Sequence, residues 1–197
     1  TLDELAEVSQ TLVDAGVVES GIALEVDTWS FEQWVATSGA ALVDNDNGRS
    51  GRALHASLDS DAVADVLARL GEMHDAGTLL ITGRGGEQSG LARFVAVAQG
   101  SASMTIASSA SLGEIYEQLY RVPDVDLRVG PFPSAGPGKT TVGGGSRYLT
   151  NDTGDAARAA AWDLMAWLNE PAQQVRWSVG TGYVPTRISA ADDPTLQ

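Results

Sequence analysis

Apolar residues recur along this chain at helical spacing in several stretches, separated by shorter apolar blocks, and that alternation predicts an α/β fold. Thr1-Leu2-Asp3-Glu4 forms a capping box, Leu2, Leu5, Val8 and Leu12 follow at helical spacing, and Gly16 closes the helix. Gly21 to Val26 is a short apolar block predicted as a strand. Ser30 with Gln33 reads as a second capping box, opening a helix that carries Phe31, Trp34 and Val35. Asp44 to Gly48 is a turn cluster. Ser60 is placed to cap a helix with Val63, Val66, Leu67, Leu70 and Met73 on one face and Gly77 after its end.

Gly83 to Gly90 is a glycine-rich loop with no strand predicted to lead into it, followed by a helix to Gln99. Ser103 to Ile106 predicts a strand, and the small-residue run Ala107-Ser108-Ser109-Ala110-Ser111 precedes a helix ending at Tyr120. Leu127-Arg128-Val129 predicts a strand stopped by Pro131-Phe132-Pro133. The Gly/Pro-rich link from Ser134 to Gly145 is the candidate boundary. Beyond it come a short strand at Arg147-Tyr148-Leu149, a long helix over 155–169, and a helix started by Pro171, where proline is tolerated. Gly180 to Pro185 is a loop.

Composition narrows the class of function. The chain has 197 residues and a net charge of −14, and residues 1–75 hold most of it, with fifteen acids against three arginines. Such a surface repels nucleic-acid phosphates and anionic lipid head groups, so no nucleic-acid partner is expected; the charge itself serves solubility. There is no cysteine, hence no disulfide, no thiolate chemistry and no Cys-ligated zinc.

Enzyme signatures fail on their residues. Gly136-Pro137-Gly138-Lys139-Thr140-Thr141 resembles a phosphate-binding loop, but Pro133 stands where its first glycine belongs, and Val142-Gly143-Gly144-Gly145 follows instead of a helix. It reads as a flexible turn. Gly83-Arg84-Gly85-Gly86-Glu87-Gln88 lacks the third glycine of a dinucleotide fingerprint. His55 and His74, the two histidines, have neither a metal-ligand spacing nor a Gly-x-Ser-x-Gly elbow to serve. Paired carboxylates of an acidic glycoside hydrolase stay open as an alternative, although no pair is singled out. No cofactor or metal is expected.

Aromatic and glycine residues in loops are the unusual feature. A loop aromatic can offer a flat face to a sugar ring while backbone amides and small hydroxyls bond its polar edges. Trp29, at a strand-to-helix junction, and Tyr183, between Gly182 and Val184-Pro185, suit that role or that of plugs at the end of a core. Ser108, Ser109 and the Gly143–Gly145 run would supply polar groups. Trp34, Trp162, Trp167 and Trp177 sit in helical patterns and read as core residues.

Seven segments in order resemble the carbohydrate-type extracellular solute-binding proteins of ABC importers, near the branch that includes glycerol-3-phosphate binders. They are 28–34 (TWSFEQW), 46–49 (DNGR), 104–112 (MTIASSASL), 129–133 (VGPFP), 143–146 (GGGS), 161–169 (AWDLMAWLN) and 180–187 (GTGYVPTR). The resemblance implies a type II periplasmic-binding-protein-like α/β fold that closes on its ligand about a hinge. It implies a fragment: residues 1–142 as the second lobe, 143–180 as a helical segment returning toward a first lobe largely absent from this chain, and 181–197 as hinge and return.

It also implies the function: substrate-binding component of an importer, not an enzyme, capturing a sugar, polyol or glycerol-3-phosphate-like solute between the lobes and delivering it to the permease. A non-enzymatic carbohydrate-interaction domain is the other alternative. Ligand contacts map onto Ser108 in Ala-Ser-Ser, Gly144 in the triple glycine and Tyr183 in Thr-Gly-Tyr, with Trp29 lining the cleft and Ser109 beside Ser108. Arg147 and Arg187 are the cations available to a phosphate group. The expected location is extracellular, at the cell surface or periplasmic, with a lipid anchor on the full-length protein. The 143–180 helices are expected to be displaced, docked on the second lobe or covered by a second copy, and one wall of a cleft alone should bind ligand weakly.

Overall fold

The computed structural model describes residues 1–85, 87–119, 122, 125–151 and 154–196. They form two compact units, one of residues Thr1–Ile106 with Arg128–Val142, the other of Ala107–Leu127 with Gly143–Gln197.

The first unit contains helices α1 (Leu2–Asp14), α2 (Thr28–Ser38), α3 (Asp44–Asn47), α4 (Asp61–Asp75) and α5 (Glu87–Ala98), with strands β1 (Ser20–Leu24), β2 (Leu79–Ile81) and β3 (Ala102–Thr105). The three strands are parallel in the order β2-β1-β3. Successive side chains of a strand point to opposite faces. Ile22 and Leu24 accordingly join Leu2, Leu5, Trp34, Val66, Met73, Leu79 and Ile106 in one apolar cluster, while Ala23 packs with Ala96 and Ala102 in another. A central strand covered on both faces needs the continuous apolar run that Gly21 to Leu24 supplies.

The first helix starts as its sequence predicts. Thr1 Oγ1 accepts the Glu4 amide at 3.1 Å and the Glu4 carboxylate reaches back to the N-terminal nitrogen. The second does not. Asp27, not Ser30, is its N-cap, accepting the Ser30 amide at 2.9 Å. Ser60 does cap α4 in position, but without a side-chain bond to the helix. The turn cluster at 44–48 is a left-handed turn, with Asn45, Asp46 and Asn47 at φ of 52°, 56° and 53°. Asn and Asp tolerate that region better than most residues.

Three strand expectations need correction. β2 exists and leads straight into the glycine-rich loop; three residues carry no readable period, and only pairing with β1 makes them a strand. Residues 127–129 and 147–149 are not strands, because no neighbouring strand pairs with them. The end of α6 at Tyr120 lies outside the described residues.

The segment Gly136 to Thr141 is not a free turn. It is strapped along α2. Gly138 N donates to the Thr37 carbonyl at 2.9 Å, and Ala135 N to Thr37 Oγ1 at 3.3 Å. Gln33, almost fully buried, takes the Thr141 amide on Oε1 at 2.8 Å and donates from Nε2 to Thr141 Oγ1. A Cβ at Gly138 would lie 1.9 Å from the Ala36 carbonyl oxygen, so only glycine lets the strap approach this closely. Gln33→Leu removes both side-chain bonds and should cost about 2 kcal/mol. Hydrogen exchange checks this: the Thr141 amide is expected to exchange faster while the β1 amides keep their protection.

The second unit contains α6 (Leu112–Leu119), α7 (Asp155–Leu168), α8 (Pro171–Thr181) and α9 (Ile188–Ala191), with short 3-10 turns at Ser109–Ser111 and Pro194–Leu196. Pro171 occupies the first turn of α8, where its missing N–H costs nothing.

Candidate functional site

Two turns of the helical unit meet, and they carry Ser108, Ser109 and Tyr183. The first forms where the chain leaves β3. Ser108, extended at ψ 144°, caps a 3-10 turn; its Oγ accepts the Ala110 amide at 3.2 Å and its carbonyl accepts the Ser111 amide at 3.0 Å. Hydroxyl residues compete for backbone bonds in this way, which is why a Ser-rich run makes a turn here and delays the helix to Leu112.

The second turn ends α8. Gly182 is its left-handed cap at φ 80°, and its amide donates to the Ser178 carbonyl at 2.8 Å. A Cβ on Gly182 would lie 2.8 Å from Leu112 Cβ, 3.1 Å from Gly113 N and 3.1 Å from the Ser109 carbonyl oxygen. One on Gly113 would lie 3.3 Å from the Thr181 carbonyl oxygen. Two glycines therefore let backbone meet backbone, and the Ala-Ser-Ser and Thr-Gly-Tyr motifs become neighbours.

The Tyr183 loop is tied down on both sides. Thr181 Oγ1 donates to the Trp177 carbonyl at 2.6 Å and accepts the Tyr183 amide at 3.3 Å. Gln174 Oε1 receives the Thr186 amide and hydroxyl at 3.0 and 2.9 Å, while its Nε2 donates to the Leu168 carbonyl at 2.7 Å. Arg187 Nε donates to the Asn169 carbonyl at 2.8 Å, which commits part of its guanidinium to the fold. The Tyr183 ring stands edge-on to Trp177, centroids 6.2 Å apart, and remains 41% exposed. An aromatic with a fixed loop and an open face can receive an apolar ring face without first being ordered.

Gly144 is exposed, with open space where a side chain would go. Trp29 belongs to the sheet unit, in the first turn of α2, and is 37% exposed. Arg147 is exposed. Two open grooves on the sheet unit, one over β2 and α5 and one beside α1 and α4, include none of the five residues. Among the described residues no group of acids and histidines is arranged to hold a metal ion.

The tryptophan reading was correct for Trp34, which is buried at the centre of the sheet unit's core. It fails for Trp162, Trp167 and Trp177, which are 60%, 45% and 53% exposed. Helical spacing marks which residues share a face, but not whether a second layer covers that face. Trp177 and Gln174 are the supporting residues the sequence did not point to. An aromatic two turns before a Gly-Tyr loop, and a glutamine at one-turn spacing from it, were the only signals.

The family model for bacterial extracellular solute-binding proteins matches residues 1–197 of this chain. No curated protein matches it. Among solved structures the chain is similar to UgpB from Mycobacterium tuberculosis, crystallised in complex with glycerophosphocholine, with 18% identity and a TM-score of 0.66. The likeness covers all of this chain and 46% of that one, so the chain spans just under half of that protein's length. The fold is therefore α/β and periplasmic-binding-protein-like, in the form of a fragment.

Proposed function

The chain belongs to the bacterial extracellular solute-binding protein family, and we propose that it forms one wall of the solute cleft in the substrate-binding component of an ABC importer. The observation that carries this reading is the seating of Gly182 on the Ser109 carbonyl, which makes one surface of two motifs 73 residues apart, Ser108-Ser109 and Gly182-Tyr183. Ser108 accepts a backbone amide and keeps its hydroxyl proton for a ligand oxygen. Tyr183 adds an aromatic face, and Gly144 and Trp29 complete the set in our reading. No step of this function needs a reacting group, so the protein captures and releases its solute unchanged, outside the cytoplasm, and hands it to the permease.

The proposed solute is a sugar, a polyol or a glycerophosphate derivative; glycerophosphocholine, bound by the UgpB structure, lies within that range. Trp162, Leu164 and Trp167 of α7 are exposed; in our reading this face packs against the first lobe in the full-length protein, or against a second copy of this chain by itself. A lipid anchor remains part of the proposal for the full-length protein.

Titration calorimetry of the complete protein against a panel of sugars, polyols and glycerophosphodiesters tests the reading. One solute class should bind, and Tyr183→Ala should weaken it by about 2 kcal/mol, roughly thirtyfold, without changing Tm by more than a few degrees. Absence of binding across the panel, or turnover of a glycoside, would refute it.

A further inference from the structure

Strands β1 and β2 lie side by side and parallel, yet the helices that follow them leave on opposite faces of the sheet. α2 brings Trp34 to the Ile22–Leu24 side, and α5 brings Ala96 to the Ala23 side. Two interactions join the exits of these two strands. Val26 N donates to the Gly83 carbonyl at 2.9 Å. Glu25, the first residue after β1, pairs with Arg93 of α5 at 2.8 Å, and each side chain is 12% exposed.

The pair is enclosed by the fold. Gly90, one turn before Arg93, borders it: a Cβ there would rest in ordinary van der Waals contact, 3.6 Å from both Glu25 carboxylate oxygens. Removing two charges this far from water is not explained by stability alone, because an apolar pair of similar volume would serve as well or better. What an ion pair adds is a fixed partner and direction. Only residues 26–28 separate Glu25 from Trp29. Within them Val26 is bonded to the exit of β2, and Asp27 caps α2 through the Ser30 amide. The whole loop that delivers Trp29 is thus anchored at its start by Glu25 and at its end by Asp27.

We propose that Glu25 and Arg93 are a positioning pair: they staple the β1–α2 loop to α5 and so hold Trp29 in place at the carboxyl edge of the sheet. The consequence for solute binding rests on the reading of Trp29 as a cleft residue, but the positioning itself does not.

The test uses the complete protein labelled with 5-fluorotryptophan, with the Trp29 and Trp34 fluorine signals assigned by their loss in Trp29→Phe and Trp34→Phe. Arg93→Met and Glu25→Gln should each shift or broaden the Trp29 signal and leave that of buried Trp34 in place. The exchanged pair, Glu25→Arg with Arg93→Glu, should recover the Trp29 signal at least in part. Solute affinity should fall by about tenfold in the single variants and return in the exchanged pair. A Trp29 signal unmoved in both single variants while Tm falls would overturn the proposal and leave a merely structural ion pair. A moved Trp29 signal with unchanged affinity would uphold the positioning and remove Trp29 from the ligand site.

Discussion

Replacing Gly21 with alanine is expected to destabilise the sheet unit more than any other single methyl addition to β1. The new Cβ would lie 2.2 Å from Ser9 Cβ, 2.3 Å from Ser9 Cα and 2.5 Å from Ser9 Oγ. Ser9 is fully buried on α1, and α1 lies against β1 at this point. Two of those atoms belong to a side chain that could be removed, but the backbone carbon cannot move without the helix. Overpacking costs about 1–3 kcal/mol where side chains can give, and a backbone atom this close puts Gly21→Ala at or above the top of that range. For a chain of this size that is a loss of roughly 6–12 °C in Tm. Calorimetric melting measures it. The second-site change Ser9→Gly should recover only part of the loss, because the clash with the backbone of residue 9 stays; full recovery would mean that α1 is not held where the structure places it.

The effect of Gly182→Ala should fall on the helical unit and on binding together. Its φ of 80° is a conformation that alanine adopts at a cost of about 1 kcal/mol. The added carbon would also press on Leu112 Cβ and on backbone atoms of Gly113 and Ser109. The turn must then withdraw from Ser109, carrying Tyr183 with it. An expected loss of about 2–3 kcal/mol in stability combines strain and overpacking. Solute affinity should drop at least as far as in Tyr183→Ala. Gly180→Ala is the control. It lies inside α8 with nothing within 4 Å of its Cβ position, so alanine should be neutral or stabilise the helix by up to about 1 kcal/mol. Equal behaviour of the two variants in melting and titration would show that the meeting of the two turns is not what organises the site.

Local signals that complete themselves within a few residues were legible. The capping box at Thr1 and Glu4, the proline start of α8 and the apolar face of α4 each need only their own neighbours in sequence. Signals that depend on a distant partner were not. β2 is a strand because Leu79 pairs with Ile22, and residues 127–129 and 147–149 are not strands because nothing pairs with them. Gln33 looked like part of a capping box, whereas its partner is Thr141, 108 residues away. The segment 136–141 looked mobile because glycine and proline dominate it; those glycines instead permit its close run along α2.

The candidate site divides in the same way. Ser108, Ser109, Gly144, Tyr183 and Trp29 were found as motifs, through ordered resemblance to a family, and the seat of Gly182 against Ser109 could not be read from them. A motif names residue types suited to a chemistry, but a binding surface depends on which backbones can approach, and that is settled by the absence of a Cβ at Gly113 and Gly182. The amino-acid order by itself determined the α/β class, the acidic character of the first 75 residues, the loop position of Tyr183 and the turn at Ser108 and Ser109, because patterning, charge and turn chemistry act over short range. Only the tertiary structure decided that the Ser-Ser and Gly-Tyr turns touch, that Arg93 pairs with Glu25, and that three helical tryptophans stay exposed, because burial and pairing depend on what a second element places opposite.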